Sequence, residues 1–274
     1  MGRLDRKAAV VTGASSGIGL ATARALAREG AAVALAGRQR GPMDAAAREL
    51  AAAGGRALVR QVDVRDEAQM RGLIDAAVAE FGGLDIMVNN AGINPFDNLL
   101  EGDVRRWRDT LETNVIGTAL GCREAYRVMK GRGGHIVNVT SVAARYAEMH
   151  NPIYAASKHA AGALTESLRL ALQGKGIRVT AIMPGAVATS LVRTMPQDQL
   201  FGIVRMIGMD PEKIGYTPGE HVPQEVLDRV ASVAGNFILR AEDVAEAVVY
   251  AVTTPETVHV NEIMIRPAQP LPGV

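Results

Sequence analysis

Ala8-Ala9-Val10-Val11-Thr12-Gly13-Ala14-Ser15-Ser16-Gly17-Ile18-Gly19 couples a short strand-like run to a glycine-rich turn that opens a helical pattern. Glycines at such a junction permit a tight turn and let the backbone approach a pyrophosphate, whose charge a helix N-terminus favours. Gly13, Ser15, Ser16, Gly17, Ile18 and Gly19 are therefore candidate phosphate-binding residues. The spacing is Thr-Gly-x-x-x-Gly-x-Gly rather than Gly-x-Gly-x-x-Gly, and no Gly-Lys-Ser/Thr follows, which argues against a P-loop. Glycine-rich turns also serve packing, so the motif by itself leaves the function open.

Outward from this run, short apolar stretches alternate with longer helical ones. Strand patterns fall at residues 8–12, 32–36, 57–62, 84–89, 135–140, 178–183 and 258–265. Helical patterns fall at 17–29, 44–53, 67–81, 104–129, 154–173 and 241–253, with Gly30, Gly54 and Gly174 placed as C-caps. Several strands are almost continuously apolar, as strands covered on both faces should be. The expectation is a single α/β domain, a doubly wound parallel sheet of Rossmann type. Residues 188–239 break the alternation and hold Pro196, Pro211, Pro218 and Pro223 among methionines and aromatics. A segment this long without a strand pattern reads as a helical or loop substrate lid, an oligomer contact or both.

Charged residues make up 22% of the 274, with a net charge of +1, so there is no electrostatic footprint for nucleic acid or an anionic membrane. The local basic run Arg105-Arg106-Trp107-Arg108 is flanked by acids and reads as a solvated helix face. Cys122 is the single cysteine, which excludes an internal disulfide and a cysteine-built metal site. Its apolar helical neighbours suggest a packed thiol. No secretory pattern or membrane-length apolar stretch is present, so a cytoplasmic protein is expected.

Tyr154-Ala155-Ala156-Ser157-Lys158 places a phenol and an ammonium four residues apart, hence on one face of a helix. A free phenol titrates at about 10 and is a poor base at neutral pH. A neighbouring cation favours the phenolate and brings it toward the working range. Such pairs also occur by chance on surface helices; the surrounding motifs change the weight.

Taken in order, the glycine turn, Asn89-Asn90-Ala91-Gly92, Asn114 in Asn114-Val115-Ile116-Gly117, Ser141, Tyr154 with Lys158, and Pro184-Gly185 with Thr189 resemble the short-chain dehydrogenase/reductase family over nearly the whole chain. The resemblance implies an oxidoreductase that moves a hydride between a nicotinamide dinucleotide and an alcohol or ketone carbon. Tyr154 would exchange the proton, Ser141 would hydrogen-bond the reacting oxygen, and Lys158 would lower the Tyr154 pKa and hold the nicotinamide ribose. Asn114 would anchor a water linking Lys158 to solvent. It further implies cofactor contacts at Asp63 and Val64 beside adenine, at Asn90, Ala91 and Gly92, and at Pro184, Gly185 and Thr189. A homodimer or homotetramer built through the long helices is the family's usual assembly.

At the end of the second strand, where an acid binds the ribose hydroxyls in NAD-preferring proteins, stand Gly37 and Arg38. Loss of the carboxylate and gain of a guanidinium suit a 2′-phosphate, so NADP(H) is preferred. Ser16 occupies the place of the family's other, basic NADP mark, which leaves NAD(H) open. Arg145, Tyr146, Met149 and His150 should border the pocket, with Asn94, Pro95 and Phe96 across from them. Arg145 or His150 could meet a carboxylate, or could simply be solvated. Residues 258–263 resemble the branch containing NADP-dependent 3-hydroxy-acid dehydrogenases. The alternative is a catalytically silent dinucleotide-binding regulator on the same fold. A sugar-nucleotide epimerase is disfavoured by the glycine spacing and the short C-terminal part.

Overall fold

A computed structural model describes residues 2–147, 151–189, 197–206, 208, 210–213, 232 and 237–269. Seven strands form one sheet: β1 (Ala8–Thr12), β2 (Ala32–Gly37), β3 (Ala57–Gln61), β4 (Ile86–Asn89), β5 (Gly134–Val139), β6 (Ile177–Pro184) and β7 (Glu262–Ile265). Every pairing is parallel and the order is β3-β2-β1-β4-β5-β6-β7. The order reverses between β1 and β4, so a crevice opens beyond their carboxyl ends. In an open α/β sheet that is where ligands bind.

Helices α1 (Gly17–Arg28), α2 (Arg40–Ala52), α3 (Glu67–Phe81), α4 (Val104–Leu111), α5 (Gly117–Met129), α6 (Pro152–Ala171), α7 (Gln197–Met206) and α8 (Ala241–Thr253) accompany it. The strand period of two sends successive residues to opposite faces. Ala9, Val11, Val33 and Leu35 pack into one core with Leu26 of α1 and Val248 of α8. Val10, Ala34, Ala36 and Met87 enter the other, with Met70 and Ile74 of α3 and Met129 of α5. Both faces are therefore covered, which accounts for the near-continuous apolar strands. Among the described residues, no helix is long and apolar enough to cross a membrane. Arg105, Arg106 and Arg108 lie on a solvated face of α4. Cys122 is buried between Asn89 and Asn138, and burial pushes its thiol up to about 11.

Three expectations shift. The helix expected over 104–129 is interrupted by a π-turn at Glu112–Ile116, where the Gly117 amide donates to the Glu112 carbonyl five residues back. The second helix starts at Arg40 rather than residue 44, with Pro42 in its first turn, where a missing N–H costs nothing. The last strand starts at Glu262, not 258. His259 sets its Nε2 against the amide and carbonyl of Val179, at 3.0 and 2.8 Å, so the imidazole stands where backbone pairing would continue.

Much of the lid expected at 188–239 lies outside the described residues, as do Met149 and His150. The chain leaves and re-enters the described core at one place, because Val187 bridges Leu239, with backbone bonds Ala188 N–H to Leu239 O and Leu239 N–H to Ala186 O, each 2.9 Å.

Candidate active site

A cleft of about 680 Å³ runs across the carboxyl ends of the strands at the reversal point. Gly13, Ser15, Ser16, Gly17 and Ile18 line its floor, where α1 begins. Gly13 and Gly17 have φ of +67° and +52°, a backbone state that side chains disfavour. The first turn of α1 carries no acidic residue, so its partial positive charge is available to a phosphate. Gly19 is not on the cleft wall; a side chain there would run into the Gly13 carbonyl and the Asn90 carboxamide. It acts by permitting close packing of α1 under the turn.

Asn90 and Ala91 bring the end of β4 against this turn. The Thr12 hydroxyl accepts the amides of both, at 3.0 and 3.1 Å, and Asn90 Nδ2 donates to the Thr12 carbonyl at 2.9 Å. Thr12 thus ties the glycine turn to the switch point, although its motif position alone suggested only the end of a strand.

At the far end of the cleft, Gly37, Arg38, Val62, Asp63 and Val64 form the wall. Arg38 is exposed. A Cβ on Gly37 would lie 3.4 Å from Ser15 Oγ, so the end of β2 borders the phosphate turn. The Asp63 carboxylate accepts the Arg65 guanidinium at 2.6 Å and the Arg65 amide at 3.0 Å. Those bonds hold its carboxyl below the usual carboxylate range. The residue is thus a turn-former as well as a cleft residue. The glycine turn, a helix N-terminus without acidic residues, a guanidinium and a carboxylate along one crevice fit a dinucleotide bearing a pyrophosphate.

Ser141, Tyr154 and Lys158 line the opposite end with Pro184, Gly185 and Thr189. Ser141 follows β5; its Oγ accepts the Ala143 amide at 3.1 Å and makes a long, 3.5 Å bond to the Pro184 carbonyl. Tyr154 and Lys158 share one face of α6, the ammonium 5.6 Å from the ring centre. Lys158 is buried and donates to the Val139 carbonyl at 3.1 Å, and desolvation lowers its pKa to about 8.

Asn114 is not on the cleft wall. It lies buried behind Gly92, inside the π-turn. Its Oδ1 accepts the Ile93 amide and its Nδ2 donates to the Ile93 carbonyl, both at 2.9 Å, and to Ser157 Oγ at 2.9 Å. Ser157 in turn donates to the Tyr154 carbonyl at 2.7 Å. Ser157 sits inside the Tyr154–Lys158 motif but has no distinctive sequence signal. Of the expected substrate-side residues, Tyr146, Asn94 and Pro95 line the cleft, while Arg145 is exposed and ion-paired with Glu262.

Fold and cleft are together those of a dinucleotide-binding α/β oxidoreductase. The short chain dehydrogenase family profile matches residues 7–200, and the chain belongs to that family. It is 41% identical over 237 residues to cis-4-hydroxycyclohexanecarboxylate dehydrogenase of Sinomonas cyclohexanicum, covering 86% of this chain and 93% of that one. It is 37% identical over 267 residues to glycine betaine reductase ATRR of Emericella nidulans, covering 97% of this chain but only 19% of that relative's length. Among solved structures, a variant of actinorhodin polyketide ketoreductase with NADPH is 31% identical and superposes with a TM-score of 0.78, covering 97% of this chain and 98% of that one.

Proposed function

We propose that this protein transfers a hydride between NADP(H) and a secondary alcohol or ketone, with Tyr154 as general acid and base. The observation that carries this reading is the shared wall: Ser141, Tyr154 and Lys158 line the same cleft as the glycine turn. A bound nicotinamide supplies the hydride chemistry, and the chain supplies orientation and protons. In reduction the Ser141 hydroxyl exchanges its long bond to Pro184 for the substrate oxygen and stabilises negative charge growing there. Tyr154 donates its phenolic proton to that oxygen as the carbon–hydrogen bond forms; oxidation reverses both transfers. The Lys158 ammonium stabilises the resulting phenolate and holds the ribose. Asn114 positions these groups through Ile93 and Ser157, and a water held behind Gly92 would link Lys158 to solvent.

The preference for NADP(H) is supported by Arg38 on the cleft wall and by the missing carboxylate at Gly37. The NADPH-bound ketoreductase agrees with it; NAD(H) is the alternative. Asp63 and Val64 receive the adenine, Asn90, Ala91 and Gly92 the ribose region, and Pro184, Gly185 and Thr189 the nicotinamide. Residues 188–239, whose two ends meet at the cleft lip, serve as the substrate lid. Leu111, Ile116, Leu164 and Leu170 are exposed on the long helices and supply apolar surface for a homodimer or homotetramer. A cytoplasmic location completes the reading. A relative named for a hydroxylated ring acid supports alcohol chemistry. A panel of ketones, aldehydes and alcohols, assayed with NADPH and NADH in parallel, tests it. Turnover favouring NADPH is expected; cofactor binding with no turnover on any member would refute it.

A further inference from the structure

Besides Lys158 on the cleft wall, Arg145 and Arg266 lie beside cleft residues at the substrate end, and they differ in what surrounds them. Arg145, on the turn after Ser141, forms an ion pair with Glu262 of β7, so its charge is already met. Arg266, one residue beyond β7, is exposed and makes no ion pair with any of the described residues. Its position is fixed from two sides. Pro184 and Ile265 are register partners, and the Gly185 amide donates to the Ile265 carbonyl at 2.8 Å. The Arg266 Cα would lie 3.6 Å from a Cβ placed on Gly185, which is itself a cleft residue. From there the guanidinium crosses to the ring of Tyr146, 6.0 Å from its centroid, and Tyr146 lines the cleft with Asn151 and Tyr154.

We propose that Arg266 is a specificity-determining residue that receives a carboxylate on the substrate, at the end remote from the reacting carbon. This rests on the dehydrogenase reading above and narrows its substrate class to hydroxy- or oxo-acids. A guanidinium presents a planar fork of donors that a carboxylate matches with two parallel bonds. The Tyr146 ring, whose centroid lies 6.0 Å from the guanidinium, gives that fork an aromatic neighbour on the cleft wall. The neighbouring Arg145–Glu262 pair contributes no net charge, so among the described residues here Arg266 is the arginine left without an ion pair.

Calorimetry of the NADP⁺-saturated protein with cyclohexanecarboxylate and with cyclohexanecarboxamide tests the assignment without requiring turnover. The acid binds more tightly than the amide in wild type, and its affinity falls as salt is raised. Arg266→Gln weakens the acid by about five- to twentyfold and leaves the amide unchanged, while Arg266→Lys recovers part of the loss. Equal affinity of wild type and Arg266→Gln for the acid, or an equal loss for acid and amide, overturns the proposal. Carboxylate binding that depends on Arg266 without reduction of any ketone would instead contradict the dehydrogenase reading and leave this one standing.

Discussion

The Lys158 ammonium lies 5.6 Å from the centre of the Tyr154 ring and is anchored from behind by the Val139 carbonyl at 3.1 Å. One turn of α6 creates this relationship, and burial of the lysine gives it an energetic cost. Desolvation brings Lys158 from the usual 10.5 down to about 8. The unfolded chain holds that proton more tightly than the folded one, so folding stability rises as pH climbs from about 8 to 10.5. Below pH 8 the buried charge is retained at the expense of stability.

Lys158→Met should therefore separate stability from activity. The variant should be about 2 kcal/mol more stable than wild type at pH 7, the relief of desolvation exceeding the loss of the bond to Val139. Its hydride transfer should fall by at least about a hundredfold. Urea denaturation and single-turnover kinetics read the two effects; a less stable or still active variant would contradict this account.

Asn114→Ala should unfold more easily by about 2–4 kcal/mol, because it leaves the Ile93 amide and carbonyl without their partner and removes the bond to Ser157. Activity should fall through kcat rather than through cofactor affinity, since Asn114 is not on the cleft wall. Chemical denaturation with cofactor titration checks both; a variant that keeps wild-type stability would show that these bonds contribute little.

Much of this arrangement was legible in the sequence because the signals were local. The strand at 8–12, the turn at 13–19 and the Tyr154/Lys158 spacing each follow from neighbours within a few residues. The π-turn at Glu112–Ile116 was not legible, since the extra residue leaves the apolar spacing of 104–129 readable as one helix. Nor was the late start of β7, which depends on His259 reaching Val179, 80 residues earlier. Arg145 read as a candidate for a carboxylate because its partner, Glu262, is 117 residues away. Gly19 and Asn114 were recognised by motif, but their places behind the cleft emerge only once the elements pack.

Arg38→Gln should weaken NADPH binding by about tenfold and leave NADH binding unchanged, because only the former carries the 2′-phosphate for the guanidinium to meet. Fluorescence titration of both cofactors reads the difference. Equal losses would assign Arg38 to stacking on adenine instead.

His135 makes folding acid-sensitive. It is buried, bonded through Nε2 to Thr180 Oγ1 at 2.8 Å, and burial lowers its pKa from 6.5 to about 3. Thr180 donates to the Val260 carbonyl at 2.5 Å, so it accepts from His135, whose Nε2 carries the proton. Unfolding lets the imidazole take up a proton below about 6.5, so stability falls as pH drops from 6.5 toward 3. Between pH 7 and 5 this group alone contributes a loss of about 2 kcal/mol. His135→Gln keeps an N–H donor without titrating, and its urea midpoints at the two pH values should differ by correspondingly less. An unchanged difference would show that other groups carry the acid sensitivity.

The measurement that bears most directly on the central claim is pre-steady-state reduction by Tyr154→Phe, using a ketone that wild type turns over, alongside NADPH affinity. Loss of only the phenolic hydroxyl should lower the transfer rate by at least about a thousandfold while the dissociation constant for NADPH changes less than about threefold. A variant that transfers hydride at the wild-type rate would show that the phenol of Tyr154 is not the proton donor.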